Sequence, residues 1–167
     1  FSYTGDTSPA ADDYSFGVLQ SSFHQAWFTA RCSTLEDRLR YTSSTVYDAF
    51  PWPQNPSEEA LARVADAAVA FRAARARLQA EHDLSLRALY RRTAGRGAEA
   101  LDSAQRTLNA AVARAYGARP GADPLGLLLD LNTTCRAREA LGQPILGPGL
   151  PPWARDPQGF VSQDRIQ

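Results

Sequence analysis

Apolar residues recur at three- and four-residue spacing in five separate stretches of the chain. Each stretch predicts an amphipathic helix. The first runs from about 14 to 32, with Phe16, Leu19, Phe23, Ala26, Trp27 and Ala30 on one face. Asp12 or Asp13 can cap its first turn. The second spans about 57–81, with Leu61, Val64, Ala68, Phe71, Ala74 and Leu78 as its stripe. Ser57 reads as its N-cap, and Glu58 and Glu59 sit at the positive end of the helix dipole. A short helix at about 84–92 turns Leu86, Leu89 and Tyr90 inward. A fourth, about 98–116, uses Leu101, Leu108, Ala111, Val112 and Ala115, and Gly117 reads as its C-cap. The fifth, about 123–141, carries Leu127, Leu128, Leu131 and Cys135 and stops at Gly142. The fold class these patterns predict is mainly α: a small helical bundle with an irregular, proline- and aromatic-rich loop. At most a short β segment is expected, near 1–6 and 38–42.

Between the first two helices lies "LEDRLRYTSSTVYDAFPWPQNP", residues 35–56. It breaks the helical period. Leu39–Thr42 reads as a short strand and Ser44–Phe50 as one helical turn. Pro51, Pro53 and Pro56 forbid a continuing helix. Residues 1–13 read as a loop around Gly5 and Pro9. The last 25 residues hold five of the eleven prolines and predict an extended tail pinned by Ile145, Leu146, Trp153 and Phe160. Three segments follow: 1–56, 57–142 and the tail, 143–167. No repeat of 20–50 residues is present.

A chain of 167 residues supports a core without disulfide staples. Cys32 and Cys135 predict two reduced, partly buried thiols in a cytosolic protein, with one long-range disulfide as the alternative. The chain starts at Phe1 and contains no Met, which suggests a fragment of a longer protein. No apolar run approaches the roughly 20 residues of a membrane span, so no membrane partner is expected. The formal net charge is zero, which argues against a strongly basic nucleic-acid binder. The balance is uneven along the chain, however. Residues 1–60 carry eight acids against three Arg, and residues 61–96 carry eight Arg against three acids. The Arg-rich helix there reads as a solvated face with one or two contacts to a nucleic-acid backbone.

Catalytic signatures are missing from the sequence. No Gly-rich phosphate loop, C-x-x-C, H-x-x-E or G-x-S-x-G pattern occurs. His24 and His82 are single and far apart; His24, on an aromatic helix, reads as a packing residue. No catalytic, cofactor-binding or metal-binding residue is expected in this chain.

The segment "FGVLQSSFHQAWFTARCSTLEDRLRYTSSTVYDAFPWP", Phe16–Pro53, resembles the end of the target-recognition domain of the MmeI-like, type IIL DNA methyltransferases. These are fused modification and restriction enzymes. The features shared are an aromatic helix with an "SS…H…W" core and an "RY…VY…FPWP" signature. "SLRALY" and "LDSAQRTLNAAVARAYG" are similar to the small helical domain that closes such proteins. The resemblance covers residues 1–117 well and 118–142 loosely, and it leaves out the tail. It implies a parent enzyme that binds S-adenosylmethionine and methylates the exocyclic amine of an adenine in double-stranded DNA, in the cytoplasm. It also implies an upstream methyltransferase domain as the partner of this chain. The Gly-rich cofactor motif and the N-P-P-Y catalytic motif of that domain do not occur here. This chain is then the reading end, without catalysis of its own.

In this family a pair spaced E-x-R or K-x-D just before "RY" contacts one base pair. The matching positions are Glu36 and Arg38. A Glu carboxylate accepts from the amino group of cytosine, and an Arg guanidinium donates twice to guanine. On an extended segment, residues two apart point the same way. The alternative is a surface ion pair, worth little. Arg40 and Tyr41 are candidates for DNA-backbone contact; the equal alternative is an Arg stacked on an aromatic within the fold. Tyr47, Phe50 and Trp52 are expected to pack the loop onto the helices.

The competing class is a helical protein-interaction module with no DNA role, its aromatic loop facing a protein. Salt-sensitive duplex binding distinguishes the two. The isolated chain is expected to bind duplex poorly, since its net charge releases few counterions.

Overall fold

The computed structural model describes residues 12–35, 38–85, 87–89 and 99–162, with 33–35 and 38–40 as backbone. The architecture is mainly α. Helix α1, Asp13–Gln20, opens on Asp12, whose carboxylate accepts from the Ser15 amide at 2.6 Å. Burial pushes the Asp12 carboxyl above the usual carboxylate range, against hydrogen bonds from Ser15 that pull it down.

One continuous helix over 14–32 was the expectation from spacing, but the chain breaks at Ser21. That residue is extended (φ −77°, ψ 163°), and α2, Ser22–Arg31, starts afresh after it. The Ser21 hydroxyl donates to the Val18 carbonyl at 2.7 Å, competing with the helical pattern. The Ser22 amide finds a partner 87 residues away, in Asn109 Oδ1 at 2.9 Å. The break lets two short helices serve two neighbours: α1 packs on the helix Glu58–His82 and α2 packs on the helix Pro124–Ala140.

Helix α3, Glu58–His82, is capped by Ser57, whose hydroxyl accepts from the Ala60 amide at 3.2 Å. Its apolar stripe, including Leu61, Val64, Ala68, Phe71 and Leu78, is buried as the period predicts. It crosses α1 closely at Gly17, where an added Cβ would stand 2.7 Å from Val64 Cγ1. Of the short helix expected at 84–92, residues 87–89 are helical and Leu89 is buried; Leu86 and Tyr90 lie outside the described residues. Helix α4, Glu99–Ala115, packs along α3, and the chain turns after it through Gly117 at φ +66°. Helix α5, Pro124–Ala140, is capped by Asp123, which accepts from the amides of Leu125 and Gly126. Leu128 and Cys135 are buried on it, while Leu127 and Leu131 are half-buried. Cys32 and Cys135 are both free thiols. Among the described residues, no helix is long and apolar enough to cross a membrane.

The proline loop after residue 47 is part of the core. Phe50 and Trp52 are 0% and 1% exposed, and Pro51, Pro53 and Pro56 are buried with them. Prolines supply no amide donors, so this backbone cannot build its own ladder. Side chains from the helices satisfy it instead. Asn132 Nδ2 on α5 donates to the Ala49 carbonyl at 2.8 Å, and the Tyr116 hydroxyl donates to the Pro51 carbonyl at 3.0 Å. The Gln54 amide exchanges two 2.9 Å bonds with the Leu146 backbone.

That last pair anchors the tail, which doubles back over the fold. Ile145 and Leu146 are buried, the Gly149 amide donates to Ser15 Oγ at 3.0 Å, and Val161 forms a β-bridge with Asp12. Two of the expected anchors are weaker: Trp153 remains 43% exposed and Phe160 is half-buried. Backbone hydrogen bonds hold this stretch as much as side-chain burial does.

Candidate nucleic-acid interface

The site grows from the aromatic face of α2. Trp27, 0% exposed, packs edge-on to Phe50 at 6.3 Å, and its indole N–H donates to the Val46 carbonyl at 3.0 Å. Val46 lies in a widened helical turn over Ser43–Tyr47, closed by the Asp48 amide on the Ser43 carbonyl at 2.8 Å. The loop after "RY" is therefore held from beneath by one buried indole. Tyr47 and Trp52 meet edge to face at 6.4 Å. The Tyr47 hydroxyl and Trp52 Nε1 are buried without a hydrogen-bond partner among the described residues. The Tyr47 phenol is pushed up to about 12 by burial first, and then by the neighbouring Tyr41, Asp48 and Asp12.

Between α2 and this turn the chain forms two short antiparallel strands, β1 Ser33–Leu35 and β2 Arg38–Arg40. The register pairs Ser33 with Arg40, Thr34 with Leu39 and Leu35 with Arg38. The expected strand at 39–42 instead starts one residue earlier and ends two residues earlier, and it has a partner that periodicity did not reveal. Three-residue strands are too short for an alternation signal.

Both ends of the strand pair return to α2. The entry is fixed by the Cys32 amide on the Phe28 carbonyl at 2.8 Å. At the exit, Tyr41 stacks on Phe28 (5.5 Å between centroids, 29° between planes), and its hydroxyl lies 3.3 Å from His24 Nε2. His24 in turn meets the edge of Phe50 at 5.0 Å. Tyr41 is still 46% exposed. It is thus a surface residue with one face and its hydroxyl engaged. The clamp that His24 and Phe28 form on Tyr41 escaped sequence reasoning. Its signal was their i, i+4 spacing on one helix face, which reads equally well as core packing.

Of the base-reading candidates, Glu36 lies outside the described residues. Arg38 is placed by its backbone, as the first residue of β2 opposite Leu35, and Arg40 is placed likewise opposite Ser33. The same-side argument for Glu36 and Arg38 required one extended segment through both, and β2 begins at Arg38.

On the Arg-rich helix Arg63 and Arg77 are exposed, as a solvated face requires, but Arg72 departs from that expectation. Arg72 forms an ion pair with Asp13, both side chains being nearly buried, and lies 4.8 Å over the Phe16 ring. It ties α3 to α1. Arg75 lies over Phe71 at 5.8 Å, and Arg63 pairs with Glu59 one turn away. A residue 59 positions away supplied the counter-charge for Arg72, so no local pattern announced it.

Burial holds the His24 imidazole below its ordinary range, and a hydrogen bond to the Leu19 backbone only partly offsets this. The folded protein therefore prefers neutral His24. Its contribution to stability is present above the ordinary value of 6.5 and is lost as pH falls below it. A neutral ring can accept at Nε2 from the Tyr41 hydroxyl; a protonated one cannot. Thermal melting between about pH 7.5 and 5 should fall more steeply for the wild type than for His24→Gln. Equal slopes would show that His24 carries none of this dependence.

Two comparisons bear on this geometry. A sequence profile described as MmeI, target recognition domain, matches residues 5–54. That range contains α1, α2, the strand pair and the start of the proline loop. A solved structure of the type IIL restriction-modification enzyme MmeI in complex with DNA matches with a TM-score of 0.67 and 29% sequence identity. The match covers 77% of this chain and 17% of that enzyme, so the chain spans about a sixth of its length. No curated protein matches. Among the described residues, no group of three His, Cys, Asp or Glu side chains is placed to hold a metal ion.

Proposed function

We propose that this chain, an MmeI-like target-recognition and C-terminal helical module, reads one base pair of double-stranded DNA for a larger site-specific methyltransferase. The observation that carries the reading is a coincidence of position. The residues matching the MmeI target-recognition profile include the clamped strand pair and the helix that clamps it. In this reading Glu36 and Arg38 address the base edges, and Arg40 and Tyr41 contact the flanking backbone. Residues 1–56 end the recognition domain, 57–142 form the helical domain, and the tail from 143 straps the two together. The parent enzyme binds S-adenosylmethionine in an upstream domain, methylates adenine and works in a bacterial cytoplasm. This chain contributes recognition and no chemistry.

The physical logic is preorganisation. A short strand pair has little stability of its own in water. Contacts to base edges need side chains held close to their productive geometry. The Trp27–Phe50 packing and the His24–Phe28–Tyr41 clamp supply a rigid base for two three-residue strands.

Arg40 tests the reading in the parent enzyme. A phosphate contact carries no sequence information. Arg40→Ala should therefore weaken binding to every duplex by a similar factor and reduce the salt dependence by about one counterion. Measured affinities for a panel of duplexes should fall in parallel. Salt-insensitive binding of the wild type to a protein, with no duplex binding, would favour the interaction-module reading instead.

A further inference from the structure

The end of α2, the proline loop and α5 enclose a second feature beside the strand pair. Arg31, Ala49, Asn132, Arg136 and Glu139 line one cleft. We infer that Arg31 and Arg136 form a phosphate-contacting cleft through which the helical part of the chain grips the DNA backbone beside the reading strands. The inference rests on the DNA-reading function proposed above. It extends that function to α5, which lies outside the residues matched by the recognition-domain profile.

Four observations carry it. Arg31 is exposed and is the last residue of α2, two positions before β1. A phosphate held there would lie at the foot of the strand pair, where Ser33 faces Arg40 across the register. Arg31 is also set in place: its guanidinium lies 5.1 Å over the ring of buried Trp27. A cation–π contact does not itself consume the guanidinium N–H donors, and their planar fork suits a phosphate.

The opposite wall is equally fixed. Asn132, one turn before Arg136 on α5, donates to the Ala49 carbonyl and so locks α5 to the loop. Arg136 is exposed on that wall. The cleft thus sets two Arg side chains on facing walls, although the chain as a whole is neutral. Base-reading segments depend on backbone contacts for register, and this cleft is a cationic feature that the fold places next to the segment in question.

The test uses the full-length protein and a duplex of mixed sequence. Affinity is measured as a function of salt for the wild type, for Arg31→Ala with Arg136→Ala, and for Arg31→Lys with Arg136→Lys. Arg114→Ala is the control, an exposed cation lining a different groove between α3 and α4. Two lost contacts should lower the magnitude of the log–log salt slope by about 1.8. The drop in affinity between about 50 and 200 mM salt then becomes about tenfold smaller. The Lys pair should keep most of the slope, and Arg114→Ala should leave it unchanged. The loss should be uniform across sequences. Thermal melting identifies any variant that fails to fold. Should the Ala pair be one, Arg136→Gln alone should still remove about 0.9 from the slope.

An unchanged slope in folded variants overturns the inference, and so does an equal loss in Arg114→Ala, which would mark a general charge effect. A wild-type protein that binds no DNA would instead defeat the underlying reading, and the wild-type curve alone would show it. If the exchange of Glu36 and Arg38 redirects specificity while the cleft variants stay silent, the reading survives and the cleft does not.

Discussion

Exchanging Glu36 for Lys together with Arg38 for Asp in the parent enzyme should move the preferred base at one position of the DNA target and leave the other positions unchanged. A Glu carboxylate accepts from the amino group of cytosine, and Arg donates to O6 and N7 of guanine, so one G·C pair offers both partners. The exchanged pair reverses the direction of both contacts. Lys then donates toward guanine where Glu had accepted, and Asp accepts where Arg had donated. Each lost bidentate contact should weaken the old site by ~1–3 kcal/mol. Methylation of a randomised duplex library, scored position by position, provides the measurement. The Arg40→Ala variant is the internal control, because a phosphate contact lowers all sequences alike. An unchanged target after the exchange would reduce Glu36 and Arg38 to a surface ion pair. The structure sharpens the design of this experiment. Arg38 opens β2 opposite Leu35, so Leu35 is the position to leave untouched if the strand pairing is to survive.

Trp27→Ala should be among the most destabilising single substitutions in the chain. The side chain is 0% exposed, packs against Phe50, carries the guanidinium of Arg31 and donates to the Val46 carbonyl. Truncating a buried Trp to Ala costs ~3–5 kcal/mol through lost transfer energy and the cavity left behind. The Val46 carbonyl also loses its indole partner, and Val46 is fully buried, which adds ~1–3 kcal/mol if nothing replaces it. The two terms overlap, and the sum is an upper bound. Trp27→Phe separates them: the ring and much of the packing remain while the N–H is gone. Urea denaturation should place Trp27→Phe between the wild type and Trp27→Ala. Equal stability of Trp27→Ala and wild type would mean that the wide turn over Ser43–Tyr47 is held by something other than this indole. The same variant should also weaken DNA recognition in the parent, since the loop beyond the strand pair loses the contact beneath it.

The proposed recognition chemistry was legible only through resemblance. Two charged residues two positions apart on a loop read as a surface ion pair in most sequences, and nothing in the spacing of Glu36 and Arg38 selects DNA. The support around them was more accessible. The aromatics of "VYDAFPWP" announced a packed loop, and Phe50 and Trp52 are indeed buried. The cleft of Arg31 and Arg136 had no sequence signal. Its two cations are 105 positions apart, and only the packing of α5 on α2 brings them to opposite walls of one cleft.

Local rules settled what local physics controls. Ser57 and Asp12 cap the helices they were expected to cap, because a side-chain oxygen next to free amides acts over one turn. The stripes of α3 and α4 are buried because a 3.6-residue period already defines one face. Tertiary structure decided the rest, wherever a competing interaction came from far along the chain. The helix expected over 14–32 breaks at Ser21, where the next amide is satisfied by Asn109. Arg72 left the solvated face because Asp13 was waiting in α1. The tail became a strap because Gln54 and Ser15 offered hydrogen bonds to a backbone whose prolines limit its own bonding to short turns.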